Sequence, residues 1–173
     1  ATAHQLMTEG DYTIEEVDEL TGPLIGLPRS ASFRLLDIIG LDIWAFVAKN
    51  LYEAVPGDPW RGRIAPPPFL VEMIRRGWLG EKAGQGFYRR TASGAIEAID
   101  WKTLEYHPRE TPNLPTAGTG RNIEDLSARL RFLTQSGDRA GVFLWKLASD
   151  LFLYAAERIP DIAGRVVEID RAM

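Results

Sequence analysis

Proton transfer near neutral pH is work for histidine, and the 173-residue chain holds two, His4 and His107. Neither has a serine, a cysteine or a second histidine at relay or ligand spacing, and cysteine is absent altogether. Thiol catalysis, disulfide frameworks and cysteine-held metal sites are therefore excluded, and both histidines read as solvated surface groups. Glu15 and Glu16 sit where the first turn of a helix favours anions. Asp37 and Asp42 lie among Leu and Ile, where capping of helix amides is the expected task rather than acid–base work. Three arginine pairs, Arg61/Arg63, Arg75/Arg76 and Arg89/Arg90, could meet a polyanionic ligand or form solvated faces. Gly118-Thr119-Gly120 comes nearest to a dinucleotide fingerprint, but no apolar strand precedes it and the third glycine is missing. The densest signal is residues 77–88, where Gly77, Gly80, Gly84 and Gly86 alternate with Trp78, Phe87 and Tyr88. Tight turns there gather aromatic rings, either as a packed corner between helix and hairpin or as a docking surface.

Composition sets the frame for these groups. With 45% hydrophobic and 25% charged residues, the chain suits one domain or two small ones. A net charge of −4 gives no basic field, which argues against nucleic acid as a partner. No apolar run approaches the ~20 residues of a membrane-spanning helix, and the first residues lack the pattern of a signal peptide. A soluble, cytoplasmic protein is expected.

Periodicity then supplies the elements. Residues 1–7 are already helical in pattern, and Thr13 with Glu16 forms a capping box for a helix to about Leu20, ended by Gly22-Pro23. Residues 30–55 read as two helices meeting at Gly40-Leu41-Asp42, with Asp42 as the new N-cap. Pro66-Pro67-Pro68 leads into a helix over about 69–76, closed by Gly77, and residues 87–99 read as a hairpin. Residues 107–120, with three prolines and two glycines, read as a linker. Beyond it Asn122 should cap a helix to about 135, a strongly apolar helix should run over 138–158, and Pro160-Asp161 should restart a shorter one. Sliding the sequence by 152 sets Ile14, Glu16, Val17 and Asp18 on Val166, Glu168, Ile169 and Asp170, which suggests a tandem helical unit. Neither end carries a cap or a polar fade, so a piece of a longer polypeptide is expected.

Residues 77–88 are similar to the G-x-L-G-x-K-x-G-x-G-F-Y motif of the C-terminal domain of 3-hydroxyacyl-CoA dehydrogenases. Val17-Asp18-Glu19-Leu20-Thr21-Gly22-Pro23 resembles the family's V-D-x-x-T-G-P step, and residues 28–34 with Asp37 and Gly40-Leu41-Asp42 resemble the helix pair that follows. The resemblance implies an all-α fold of two tandem units of the 6-phosphogluconate-dehydrogenase C-terminal type, with a small β-hairpin after the first. It implies a first unit over 1–106, a linker over 107–120 and a second, degenerate copy over 121–173. It further implies NAD-dependent oxidation of (S)-3-hydroxyacyl-CoA in β-oxidation by a longer parent protein. NAD and the catalytic histidine–glutamate pair would then belong to an N-terminal Rossmann domain, leaving no cofactor, metal or catalytic residue to these 173 residues. The family's active-site asparagine, 25 positions before the Asp matched by Asp18, falls outside the first copy; in the second, counting back from Asp170 reaches Trp145. An indole has one donor and no acceptor, so it cannot replace an amide, and the second copy is expected to be structural. Ser30, Ser32, Phe33, Asp37, Lys82, Phe87 and Tyr88 become the candidates for the acyl side or the domain interface. The implied partners are an acyl-CoA, the Rossmann domain and a second copy in a homodimer, with neither nucleic acid nor membrane. A free-standing acyl-CoA-binding or protein-interaction module is the alternative.

Overall fold

A computed structural model describes residues 2–159 and 161–172. Helices α1 (Thr2–Gly10) and α2 (Ile14–Leu20) are joined at Thr13, whose hydroxyl accepts from the Glu16 amide at 3.2 Å while the Glu16 carboxylate accepts from the Thr13 amide at 2.9 Å. The expected capping box is thus closed in both directions. Helices α3 (Phe33–Ile39) and α4 (Leu41–Ala54) meet at Gly40, whose φ of 100° a side chain would strain. The N-cap position of α4 is Gly40 and not Asp42. Asp42 lies one residue inside the helix, where its carboxylate accepts from Lys82 Nζ at 2.6 and 2.7 Å.

Helix α5 (Pro68–Arg75) starts on the last residue of the proline run, which has no amide to lose at that position. The hairpin gains a strand: β1 (Tyr88–Arg90), β2 (Ile96–Ile99) and β3 (Tyr106–Pro108) form an antiparallel sheet in that order. Part of the stretch read as a linker is helical. Helix α6 (Pro115–Gly120) begins on a proline and buries Leu114 and Ala117. Its last turn uses the Asn122 amide, which donates to Thr119 O at 3.1 Å. Asp125 therefore caps α7 (Leu126–Gln135) in place of Asn122, its Oδ1 accepting from the Ala128 amide at 2.7 Å. Asp138 caps α8 (Arg139–Glu157) through the Gly141 amide at 3.0 Å. Helix α9 (Val166–Ala172) starts later than expected, and Pro160 lies outside the described residues.

The bounds of α9 are those of α2 moved by 152 residues. Glu168 accepts from the Arg165 amide at 3.3 Å and the Gly164 amide at 2.9 Å, the same backward reach that Glu16 makes to Thr13. The sequence shift therefore has a counterpart in local structure.

One core runs through these elements, from Met7, Ile14, Val17 and Leu20 through Phe33, Phe87 and Ile99 to Leu133 and Phe143. Burial of each such side chain contributes roughly 1.5–3 kcal/mol. Helix α8 is fastened to the α1–α2 junction. Tyr12 packs edge-on against Phe143 at 4.9 Å and donates to Arg139 O at 2.8 Å, and the Arg139 guanidinium holds Glu16 at 2.7 and 2.8 Å.

Candidate functional site

The glycine-rich stretch is a packed corner. Phe87 has no exposed surface, and its ring meets that of Phe33 at 4.6 Å and that of Phe69 at 6.4 Å. What fixes the corner is Asp37, 1% exposed, whose two carboxylate oxygens each accept a backbone amide at 2.8 Å, one from Phe87 and one from Tyr88. Asp37 does satisfy backbone amides, but instead of capping a helix it takes those of Phe87 and Tyr88, at the start of β1 some 50 residues further on. Two glycines make the approach possible. A Cβ on Gly80 would overlap the Asp37 backbone, and one on Gly86 would overlap the Asp37 carboxylate and stand 2.6 Å from Gly80 Cα.

Asp18 builds a second such node. The N-cap position of α3 is Ser32, which makes no side-chain cap. Asp18 reaches over from α2 instead, accepting the amides of Ser32 at 3.1 Å, Phe33 at 2.6 Å and Arg34 at 3.0 Å, and the Tyr88 hydroxyl at 2.9 Å. A carboxylate at the start of a helix meets the positive end of its dipole. Burial pushes both Asp18 and Asp37 up to about 6, against the hydrogen bonds that favour their charged forms. Burial and the neighbouring Asp18 also push the Tyr88 phenol well above its ordinary range.

Five of the seven candidate residues thus share one body: Ser32 and Phe33 bound through their amides to Asp18, and Asp37 bound to Phe87 and Tyr88. Lys82 stands apart at the surface, paired with Asp42. Ser30 is half-buried in the loop before α3. The histidines are not brought together. His4, expected at the surface, is half-buried edge-on to Trp44 at 6.1 Å, and burial pushes its pKa down to about 4. His107 Nε2 lies 3.9 Å from Glu15. Sequence reasoning missed Asp18 as a structural node, although it stands inside the V-D-x-x-T-G-P step. It also missed a cleft of about 970 Å³ between α2, the sheet and α7, because the arginines that line it are scattered along the chain.

The residues present do not fit NAD as a fingerprint site. Gly118-Thr119-Gly120, the nearest approach to a dinucleotide fingerprint, forms the last residues of α6 instead of the turn before a helix, and its Gly120 packs against Leu133 and Leu24. Among the described residues no group of acidic or histidine side chains could hold a metal ion.

Comparison with known proteins bears on the same corner. Residues 1–90, more than half of the chain and ending on β1, match the family described as 3-hydroxyacyl-CoA dehydrogenase, C-terminal domain. The chain belongs to that family. It is 41% identical over 169 residues to a probable 3-hydroxyacyl-CoA dehydrogenase of Bacillus subtilis, covering 98% of this chain and 21% of that protein. It is 24% identical over 161 residues to a putative fatty acid oxidation complex trifunctional enzyme of Rickettsia prowazekii, covering 91% of this chain and 21% of the relative. Mouse mitochondrial hydroxyacyl-coenzyme A dehydrogenase is 32% identical over 87 residues, half of this chain and 26% of that protein. The chain spans about a fifth to a quarter of the length of these dehydrogenase relatives. No solved structure matches it. The dehydrogenase family motif 77–88 is thus the segment whose glycines admit Asp37, and the V-D step is the segment that supplies Asp18.

Proposed function

We propose that the chain is the substrate-side and packing region of an NAD-dependent (S)-3-hydroxyacyl-CoA dehydrogenase of fatty-acid β-oxidation, and that a Rossmann domain outside these 173 residues holds NAD and the catalytic base. The carrying observation is the alignment of 98% of this chain with about a fifth of a protein named as a probable 3-hydroxyacyl-CoA dehydrogenase. In this reading the Asp18 and Asp37 nodes hold Ser30, Ser32 and Phe33 at fixed positions, so that the loop before α3 presents one shape to the acyl chain. Tyr88 and Lys82 border the same corner.

Two helices support the packing role. On α4, Ile43, Phe46, Val47 and Leu51 are 48–64% exposed, and on α8, Val142, Trp145, Leu151, Phe152 and Leu153 are 41–60% exposed. Rows of this kind mark surfaces that are covered in the working assembly. The parent's Rossmann domain or a second copy in a homodimer would cover them. Residues 121–173 are the start of a second copy of the helical unit, and the stretch 107–120 before it, which ends in α6, connects the two. The second copy is structural, because Trp145 stands at the asparagine position. None of the described helices is long and apolar enough to cross a membrane.

Purified alone, the chain should not oxidise NADH in the presence of acetoacetyl-CoA. Measurable turnover would place the chemistry within these residues and overturn the reading.

A further inference from the structure

The cleft beside Asp18 is charged opposite to the molecule that holds it. Seven arginines and four carboxylates line it, on a chain of net charge −4. Three of those carboxylates are neutralised or saturated. Glu81 is paired with Arg34, Glu19 with Arg121, and Asp18 is occupied by three amides and a hydroxyl. The fourth, Glu15, is only 4% exposed. On the cationic side, Arg89 is held by Glu97 and Arg129 by the carbonyls of Pro23, Leu24, Glu124 and Ile123. That leaves Arg29, Arg90 and Arg109, which are exposed and have no carboxylate partner among the described residues.

Three guanidinium groups without counter-ions in a concave surface focus a positive field, and each offers a planar fork of donors that matches phosphate oxygens. The remaining wall is of another kind. Pro23, Leu24, Ile96 and Pro112 give it an apolar side, and Arg109 lies 5.6 Å over the ring of Tyr88. A cleft of about 970 Å³ is at the upper end of the roughly 300–1,000 Å³ of small-molecule sites and exceeds what one inorganic phosphate needs.

We propose that this cleft binds a ligand that ends in a phosphate dianion, held by Arg29, Arg90 and Arg109. The site goes beyond the dehydrogenase reading, because it is complete within this chain and requires neither turnover nor a second domain.

Isothermal titration of the purified chain with CoA, ATP and inorganic pyrophosphate tests it. Saturable binding is expected, weakened at least about tenfold in the triple variant Arg29→Gln/Arg90→Gln/Arg109→Gln and unchanged in Lys146→Gln, an exposed residue outside the cleft. All three arginines are exposed and unpaired, so the triple variant should keep its helical circular dichroism. Tighter binding of CoA or ATP than of pyrophosphate assigns an organic body to the apolar wall, whereas equal affinity assigns the site to a free phosphate. NAD, whose diphosphate is internal and partly offset by its nicotinamide cation, should bind more weakly than CoA. Absence of saturable binding by all three probes, binding undiminished in the triple variant, or NAD binding as tight as CoA would overturn the proposal.

Discussion

At the corner between α3 and β1, Phe33, Asp37 and Phe87 are at most 2% exposed, whereas on α4, Phe46 and Val47 are 64% and 57% exposed. Both regions are strongly apolar in sequence, so hydrophobicity alone does not separate them. The difference lies in polar fixation. Asp18 and Asp37 supply acceptors to five backbone amides, which lets the chain bury this junction without leaving those amides unpaired. On α4 the backbone is satisfied within the helix, the apolar row faces outward, and none of the described residues covers it. The corner is complete by itself, and the helix row is complete only against another surface.

Breaking the corner should have the largest effects. Gly86→Val places a branched side chain where the Asp37 carboxylate sits, and a loss of about 4 kcal/mol or more is expected in urea unfolding. Asp37→Ala leaves the Phe87 and Tyr88 amides without acceptors, for about 3 kcal/mol, since each buried unsatisfied group costs roughly 1–3 kcal/mol. A change under about 1 kcal/mol in that variant would remove Asp37 from the account.

Asp37→Asn sharpens the same contrast through pH. The folded-state pKa of about 6 stands above the ordinary 3.8, so between those values the folded protein holds a proton that the unfolded chain has released. Wild-type stability from this group therefore rises as pH falls from 7 through 6 toward 4, while asparagine does not titrate. The penalty of Asp37→Asn should grow on going from pH 7.5 to 5, by about 1.4 kcal/mol, and urea midpoints at the two pH values check it. A penalty that shrinks contradicts the burial assigned to this carboxylate.

Changes on the open row should be smallest. Phe46→Ser and Trp145→Ser, at 64% and 60% exposure, should alter the stability of the dilute chain by less than about 0.5 kcal/mol while reducing self-association in sedimentation. A loss above about 2 kcal/mol would mean that these rings are already covered.

Several local features were readable in the sequence. The Thr13–Glu16 capping box, the break at Gly40 and the Asp138 start of α8 depend on residues a few positions apart, and each formed as its spacing required. The third strand was not readable, because Tyr106-His107-Pro108 is too short to show alternation and gains its order from pairing with β2. The choice of Asp125 over Asn122 as a cap was decided by α6, whose last turn takes the Asn122 amide. Asp37 and the cleft arginines share one cause of invisibility. Asp37 meets amides 50 residues away, and the cleft draws its arginines from positions 29 to 129, so only the adjacent pair Arg89/Arg90 gave any sign. The family motifs located the corner, and the physical role of their glycines and aspartates emerged from the packing.

The most direct test of the contrast is native-state hydrogen exchange of the chain at low concentration. The amides of Phe33, Arg34, Phe87 and Tyr88 should exchange only with global unfolding, while those in the second halves of α4 and α8 exchange through local opening. Equal protection of the two sets in the dilute chain would contradict the account.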